Sequence, residues 1–168
     1  QRARFRREAA TLARLDHPNL VGLLEFGEHG ERPWIAMRLV EGETLHEALR
    51  YGPLPAEQVL QIGVALCQAL KAVHEAGLLH RDLKPENVLR GTDGTITLTD
   101  FGLTKDLEIE ASVALSQTGA LQGTPGYWAP EQASGKGKHA SPATDVYGLG
   151  ATLYALLTGN PPAEGATL

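Results

Sequence analysis

His80-Arg81-Asp82-Leu83-Lys84-Pro85-Glu86-Asn87 is a run of charged and amide side chains set between a long helical pattern and a pair of short β-like runs. Upstream, Val59, Ile62, Leu66, Leu70 and Val73 recur at intervals of three and four, which places them on the buried face of one helix. That helix begins after Pro55 and stops at Gly77. Downstream, Val88 to Arg90 and Ile96 to Thr99 flank the turn residues Thr92-Asp93-Gly94, and this hairpin delivers Asp100 at its end.

Working outward, Phe5, Glu8, Leu12 and Leu15 share one face of a helix over 1–15, closed by Asp16-His17-Pro18. A carboxylate therefore falls inside an apolar stripe. It is either buried against a cation, because an isolated buried acid is costly, or partly exposed at the stripe edge. Leu20 to Phe26 and Pro33 to Val40 read as an antiparallel hairpin turning near Gly30. Glu41-Gly42 reads as a short break, and Thr44 with Glu47 forms a capping box that opens a short helix ending near Tyr51-Gly52. Cys67, on the long helix, is expected to behave as a small core hydrophobe. Residues 102–141 lack periodicity and are rich in Gly, Ser, Thr and Pro, a long loop of the kind that is functional or disordered inside a compact domain. Thr144 to Thr158 is a helix apolar nearly all round, closed by Gly159 and Pro161-Pro162, which predicts a central position.

The bulk properties narrow the classes. A chain of 168 residues fits one domain. With 42% hydrophobic and 21% charged residues it falls near the soluble globular average, so neither disorder nor a fibrous repeat is indicated. No apolar run approaches the roughly 20 residues that cross a bilayer, and the charged start from Gln1 to Arg7 is no signal peptide. A cytoplasmic location follows as the expectation. One cysteine excludes an internal disulfide, and the six histidines show no metal-ligand pairing. The net charge of −5 argues against nucleic acid as the main partner. The one basic cluster, Arg2, Arg4, Arg6 and Arg7, has the spacing of a solvated helix face.

The quoted segment matches the protein kinase catalytic loop at every motif position, and Asp100-Phe101-Gly102 and Ala129-Pro130-Glu131 follow in the kinase order. Over its whole length the chain resembles the eukaryotic-type Ser/Thr protein kinases. Phe5-Arg6-Arg7-Glu8-Ala9, Gly123-Thr124-Pro125-Gly126-Tyr127, Gln132 and Leu156-Leu157-Thr158-Gly159 make it most similar to the bacterial members. The resemblance implies a partial two-lobe α+β fold, truncated at both ends: residues 1–40 would be the rest of the small β-rich lobe, and 41–168 the first part of the mainly helical large lobe. It implies ATP and Mg²⁺ as cofactors and protein Ser/Thr hydroxyls as substrates, with no nucleic acid partner and no membrane segment within the chain.

The resemblance also assigns roles. Asp82 would receive or orient the proton of the substrate hydroxyl, Lys84 would set a cation beside the transferring phosphate, and Thr124 would contact both. Asn87 and Asp100 would offer oxygen ligands to Mg²⁺, a hard cation that prefers them. Met37 would be the gatekeeper, the carbonyl of Arg38 and the amide of Val40 would meet adenine, and Leu89 would form the floor. Without the family placement these four are plain core-strand residues. Glu8 would pair with a lysine on a preceding strand, which the sequence does not contain ahead of it. Leu12, Leu23, His80 and Phe101 would stack between the lobes and rest on Asp145.

In the long loop, Thr104, Ser112, Ser116, Thr118 and Thr124 carry hydroxyls. Ser116 and Thr118 are either the activating phosphosites, paired through Arg81, or simply polar loop residues. Glu131 would ordinarily meet an arginine in later helices. Two other classes compete: a non-catalytic kinase-like module that binds nucleotide or a partner, and a small-molecule kinase of related fold. The intact Asp82, Lys84, Asn87 and Asp100 weigh against the first, and Ala129-Pro130-Glu131 with its preceding loop against the second. Residues 1–168 alone, lacking a glycine-rich phosphate cover and the lysine, are expected to transfer little or no phosphate.

Overall fold

The computed structural model describes residues 2–30, 32–101, 125–134 and 140–163; within it the long helix foreseen from the apolar stripe runs as α3, Ala56–Glu75. All five stripe residues are buried, Leu66 and Val73 completely. Gly77 reverses the chain at φ +74, a left-handed conformation that glycine adopts without steric cost.

Ahead of it, α1 (Arg2–Leu12) buries Phe5, Ala9 and Leu12. The first hairpin pairs β1 (Leu23–His29) with β2 (Arg32–Met37). It starts later than the hydrophobicity predicts, because Leu20 and Val21 are drawn elsewhere. The Val21 amide donates to the carbonyl of Leu98 at 2.9 Å, and the Leu98 amide to that of Asn19 at 2.9 Å. The Asn19 side-chain amide adds a bond to Ile96 O at 2.7 Å. The α1–β1 connection is thus stitched to the second sheet.

That sheet has the order β3 (Gly42–Thr44), β4 (Val88–Gly91), β5 (Ile96–Leu98), all antiparallel. The break expected at Glu41-Gly42 is therefore the edge of a third strand. A Cβ on Gly42 would lie 2.1 Å from the Arg90 carbonyl oxygen, so glycine here permits close strand approach rather than interrupting it. The capping box forms as predicted: Glu47 N–H donates to Thr44 Oγ1, and Thr44 N–H to Glu47 Oε2, opening α2 (Leu45–Ala48).

After the turn Pro125–Tyr127 and the short α4 (Pro130–Ala133), α5 runs Pro142–Thr158 and ends on Gly159 at φ +82. It starts two residues earlier than its apolar run suggests, since proline suits a helix's first position. α3 and α5 approach closely at Gly63, where a Cβ would meet Leu153 Cδ1 at 3.3 Å. One core cluster takes in Phe5, Leu12, Leu23, Leu66, Leu98, Phe101 and Leu156. Complete burial of a leucine such as Leu66 or Leu156 is worth about 1.5–3 kcal/mol.

Two expectations are corrected. Cys67 is exposed. It follows Leu66 around the helix onto the side that also carries the exposed Leu60 and Val64, and an apolar stripe defines a face without defining its width. α5 is covered on one side only among the described residues. Leu149, Thr152 and Leu156 are buried, whereas Val146, Tyr147, Tyr154 and Leu157 are exposed.

Candidate active site

The loop 78–87 hangs on one buried side chain. Asp145, in the first turn of α5 and 1% exposed, accepts the His80 amide on Oδ2 at 2.9 Å and the Arg81 amide on Oδ1 at 2.7 Å. The ring Nε2 of His74, near the C-terminus of α3, lies 2.7 Å from Oδ2. A carboxylate only accepts, so this nitrogen carries the hydrogen.

His80 is fully buried. Its Nε2 lies 2.9 Å from Thr99 O and its Nδ1 accepts the Asp82 amide at 3.3 Å, which assigns the neutral Nε2–H tautomer. Its ring packs on Phe101 at 4.9 Å between centroids, tilted by 50°. Burial pushes the His80 pKa below its ordinary 6.5, against the opposing pull of the Thr99 carbonyl, Asp145, Asp82 and Asp100. In the unfolded chain His80 therefore takes up a proton that the folded chain refuses, so stability falls as pH drops below about 6.5. Unfolding free energy measured by urea from pH 7.5 to 5.5 should decline, with a His80 contribution approaching about 1.4 kcal/mol per pH unit. His80→Gln, whose amide can still reach Thr99 O, should remove that contribution; an identical slope in the variant would contradict it.

Arg81 and Asp100 are the two non-glycine residues with left-handed φ among those described, at +64° and +55°. Such conformations persist where surrounding bonds over-determine them. Arg81 is held through its amide by Asp145 and through its carbonyl by the Gln132 side chain at 2.8 Å.

Asp82, Lys84 and Asn87 come together as the motif predicts. Asn87 Nδ2 donates to Asp82 O at 2.7 Å and to Asp82 Oδ2 at 3.0 Å, and Lys84 Nζ stands 3.7 Å from that same oxygen. Pro85 opens the short 3₁₀ turn Pro85–Asn87 that makes this fold-back possible. The Thr99 amide donates to Asn87 O at 3.0 Å, which brings the next residue, the exposed Asp100, to the same end of β5.

Glu8, 14% exposed in its side chain, meets two cations of its own chain. Arg4 Nε donates to Oε1 at 2.8 Å, and Arg81 NH2 lies 3.9 Å from the same atom. Arg6, from the basic cluster, pairs with Glu28 on β1. Met37 closes β2, and its sulfur accepts from Thr99 Oγ1 at 3.7 Å. The Arg38 amide donates to Gly22 O at 2.8 Å. Leu89 lies in the middle strand of the second sheet, opposite Thr44 and Thr97. A cavity of about 400 Å³ borders Arg38 and Val40, with Asp16, His17 and Asp93 among its other walls. Neither Met37 and Leu89 nor Asp82, Asn87 and Asp100 line it.

Leu12, Leu23, His80, Phe101 and Asp145 are all buried; Leu12, Leu23 and Phe101 belong to one core cluster, and His80 packs on Phe101. Thr104, Ser112, Ser116, Thr118 and Thr124 lie outside the described residues. Glu131 accepts a hydrogen bond from the Thr144 hydroxyl, which holds its carboxyl below the usual range. His74 and Gln132 escaped the sequence reading as members of the site. The one trace of His74 is a titratable group in the last turn before Gly77; Gln132 leaves no trace of its bond to Arg81.

A mixed helix-and-sheet chain whose polar loop is anchored on a buried aspartate of a following helix has the architecture of a partial two-lobe kinase. Residues 1–167 match the protein kinase domain, and the chain belongs to that family. It is 42% identical to the serine/threonine-protein kinase PknL of Mycobacterium tuberculosis over 96% of its length, covering 40% of that protein. A probable serine/threonine-protein kinase of Corynebacterium efficiens is 41% identical over 98% of the chain, which covers 25% of it. Among solved structures, the PknI kinase domain of M. tuberculosis aligns with TM-score 0.79 at 34% identity, over 99% of this chain and 61% of that one. A Rad53 chain in complex with AMP-PNP aligns with TM-score 0.77 at 30% identity, over 97% and 40%. The chain thus spans a quarter to two-fifths of these curated relatives.

Proposed function

We propose that the protein carrying this chain transfers the γ-phosphate of ATP to serine and threonine hydroxyls of other proteins. The observation that carries the reading is the Asp82 carboxylate, pinned by Asn87 and faced by Lys84. In the transfer, the hydroxyl oxygen bonds to the γ-phosphorus, the bond from that phosphorus to the β–γ bridging oxygen breaks, and ADP departs. The hydroxyl proton passes to Asp82. The transition state is loose, so Asp82 serves chiefly to orient the hydroxyl and take its proton late. Lys84 places positive charge where the transferring group gains negative charge.

The donor set fits Mg²⁺. The Asn87 amide nitrogen is committed to Asp82, so its carbonyl oxygen would be the ligating atom, and Asp100 would offer an exposed carboxylate. No group of three or more His, Cys, Asp or Glu side chains able to hold a metal occurs among the described residues. A cation held by two protein oxygens takes its remaining ligands from phosphates and water, as Mg²⁺ habitually does. When bound, it neutralises phosphate charge.

Met37, the Arg38 carbonyl, the Val40 amide and Leu89 are assigned to adenine, and AMP-PNP in the Rad53 neighbour supports a nucleotide here. Residues 1–40 form the small-lobe part and 41–168 the large-lobe part. Glu8 serves the nucleotide site once a lysine replaces its contacts with Arg4 and Arg81. By family resemblance Thr124 is assigned to contact Asp82 and Lys84, and Ser116 and Thr118 to be phosphosites paired with Arg81; all three hydroxyl residues lie outside the described residues. A cytoplasmic location belongs to the same proposal; separately, none of the described helices is long and apolar enough to cross a membrane.

The test is incubation of the full natural protein with γ-labelled ATP, Mg²⁺ and a general protein acceptor. Label should appear in phosphoserine and phosphothreonine and vanish on chelation. Label on tyrosine alone, or transfer indifferent to chelation, would sink the reading.

A further inference from the structure

The peptide unit between Arg81 and Asp82 determines where the Asp82 side chain points, and both it and the unit before it are held. The Arg81 amide is fixed on Asp145 Oδ1, and the Asp82 amide rests on His80 Nδ1. The remaining polar group, the Arg81 carbonyl, accepts from Gln132 Nε2 at 2.8 Å. The same Gln132 side chain accepts the Ala129 amide on Oε1 at 3.1 Å. One amide therefore bridges the residue before Asp82 to the first residue of Ala129-Pro130-Glu131.

We infer that Gln132 is a positioning residue for phosphoryl transfer: it locks the Arg81 carbonyl, and through it the Asp82 carboxylate, to the segment that follows the long loop. The inference rests on the phosphotransfer reading above. Only a side chain with a donor and an acceptor at its tip meets both demands. A carboxylate turns an acceptor toward the Arg81 carbonyl, and methionine supplies no comparable donor. Arg81 at φ +64° stays there only while its partners hold it. Losing this one therefore releases the left-handed turn on which Asp82 is mounted.

The chemistry singles out Gln132→Glu as a diagnostic change. Ionised, it breaks the bridge; protonated, its hydroxyl donates to the Arg81 carbonyl and its carbonyl accepts the Ala129 amide, restoring both bonds. In the full natural protein, Gln132→Glu at pH 8 should lower kcat by about 10–100-fold, the range expected for a displaced catalytic group, with KM for ATP within about twofold of wild type. Its activity relative to wild type should climb as pH falls toward 5.5, whereas Gln132→Met should be equally impaired throughout. Hydrogen exchange at Arg81 and Asp82 should accelerate in both variants. That readout needs no turnover, so it judges the positioning role even if the wild-type protein transfers no phosphate, the outcome that would instead overturn the phosphotransfer reading. A wild-type kcat in Gln132→Met, or unchanged exchange at Arg81 and Asp82, would overturn the role of Gln132.

Discussion

Asp145→Ala should cost the folded protein about 2–6 kcal/mol and loosen the whole catalytic loop. The replacement deletes the acceptor of two backbone amides, His80 N–H and Arg81 N–H, and of the His74 ring nitrogen. Each buried donor left without a partner costs roughly 1–3 kcal/mol, and bonds to an ionised acceptor are the stronger kind. Domains are stable by only about 5–15 kcal/mol in total, so this one side chain accounts for a large share. Asp145→Asn should fall between wild type and alanine, because its carbonyl can keep one amide while its NH₂ faces the other. Urea unfolding of the natural protein measures the effect, and an unchanged midpoint for Asp145→Ala would show that the loop does not hang on Asp145.

The larger effect on activity belongs to Asp82→Asn. The amide is close in shape to the carboxylate, so the fold should persist. In the proposed transfer it cannot take the hydroxyl proton, however, and Asn87 Nδ2 would no longer face a charged oxygen at 3.0 Å. Lys84, now 3.7 Å from Asp82 Oδ2, would lose its counter-charge and turn more freely. General-base groups typically contribute 10²–10⁴-fold, and kcat is expected to fall by about that factor.

These two aspartates differed in how visible they were beforehand. Asp82 stands inside a motif whose neighbours, Lys84 and Asn87, are local in sequence, so the cluster follows from a turn of a few residues. Asp145 was expected beneath the stack, but its grip on the loop depends on amides far away in the chain, and its contact with His74 joins two separate helices. Periodicity reports which face of an element is apolar, and it placed α3 and the β4–β5 hairpin correctly. It is silent on polar side chains that bond across the fold, which is why the bond from Gln132 to Arg81 passed unnoticed.

The misreadings have physical causes of the same sort. Glu41-Gly42 read as a break because glycine is common in turns; the close approach of Gly42 to Arg90 O makes it a strand edge. Cys67 read as core because a free cysteine on a helix behaves as a small hydrophobe, although a step of one residue from Leu66 rotates its side chain away from the stripe. An apolar helix such as α5 shows a capacity for burial on every side, and what covers it is a property of the neighbours. Glu8 followed the rule that a stripe carboxylate needs a cation, but the cations that meet it are Arg4 and Arg81.

The most direct measurement is the initial rate of γ-phosphate transfer from ATP to protein serine and threonine at saturating ATP and Mg²⁺, taken side by side for the natural protein and Asp82→Asn. The geometry of Asp82, Asn87 and Lys84 predicts a rate lower by about 10²–10⁴-fold in the variant, with the thermal midpoint unchanged. Transfer by a folded Asp82→Asn protein at the wild-type rate would contradict it.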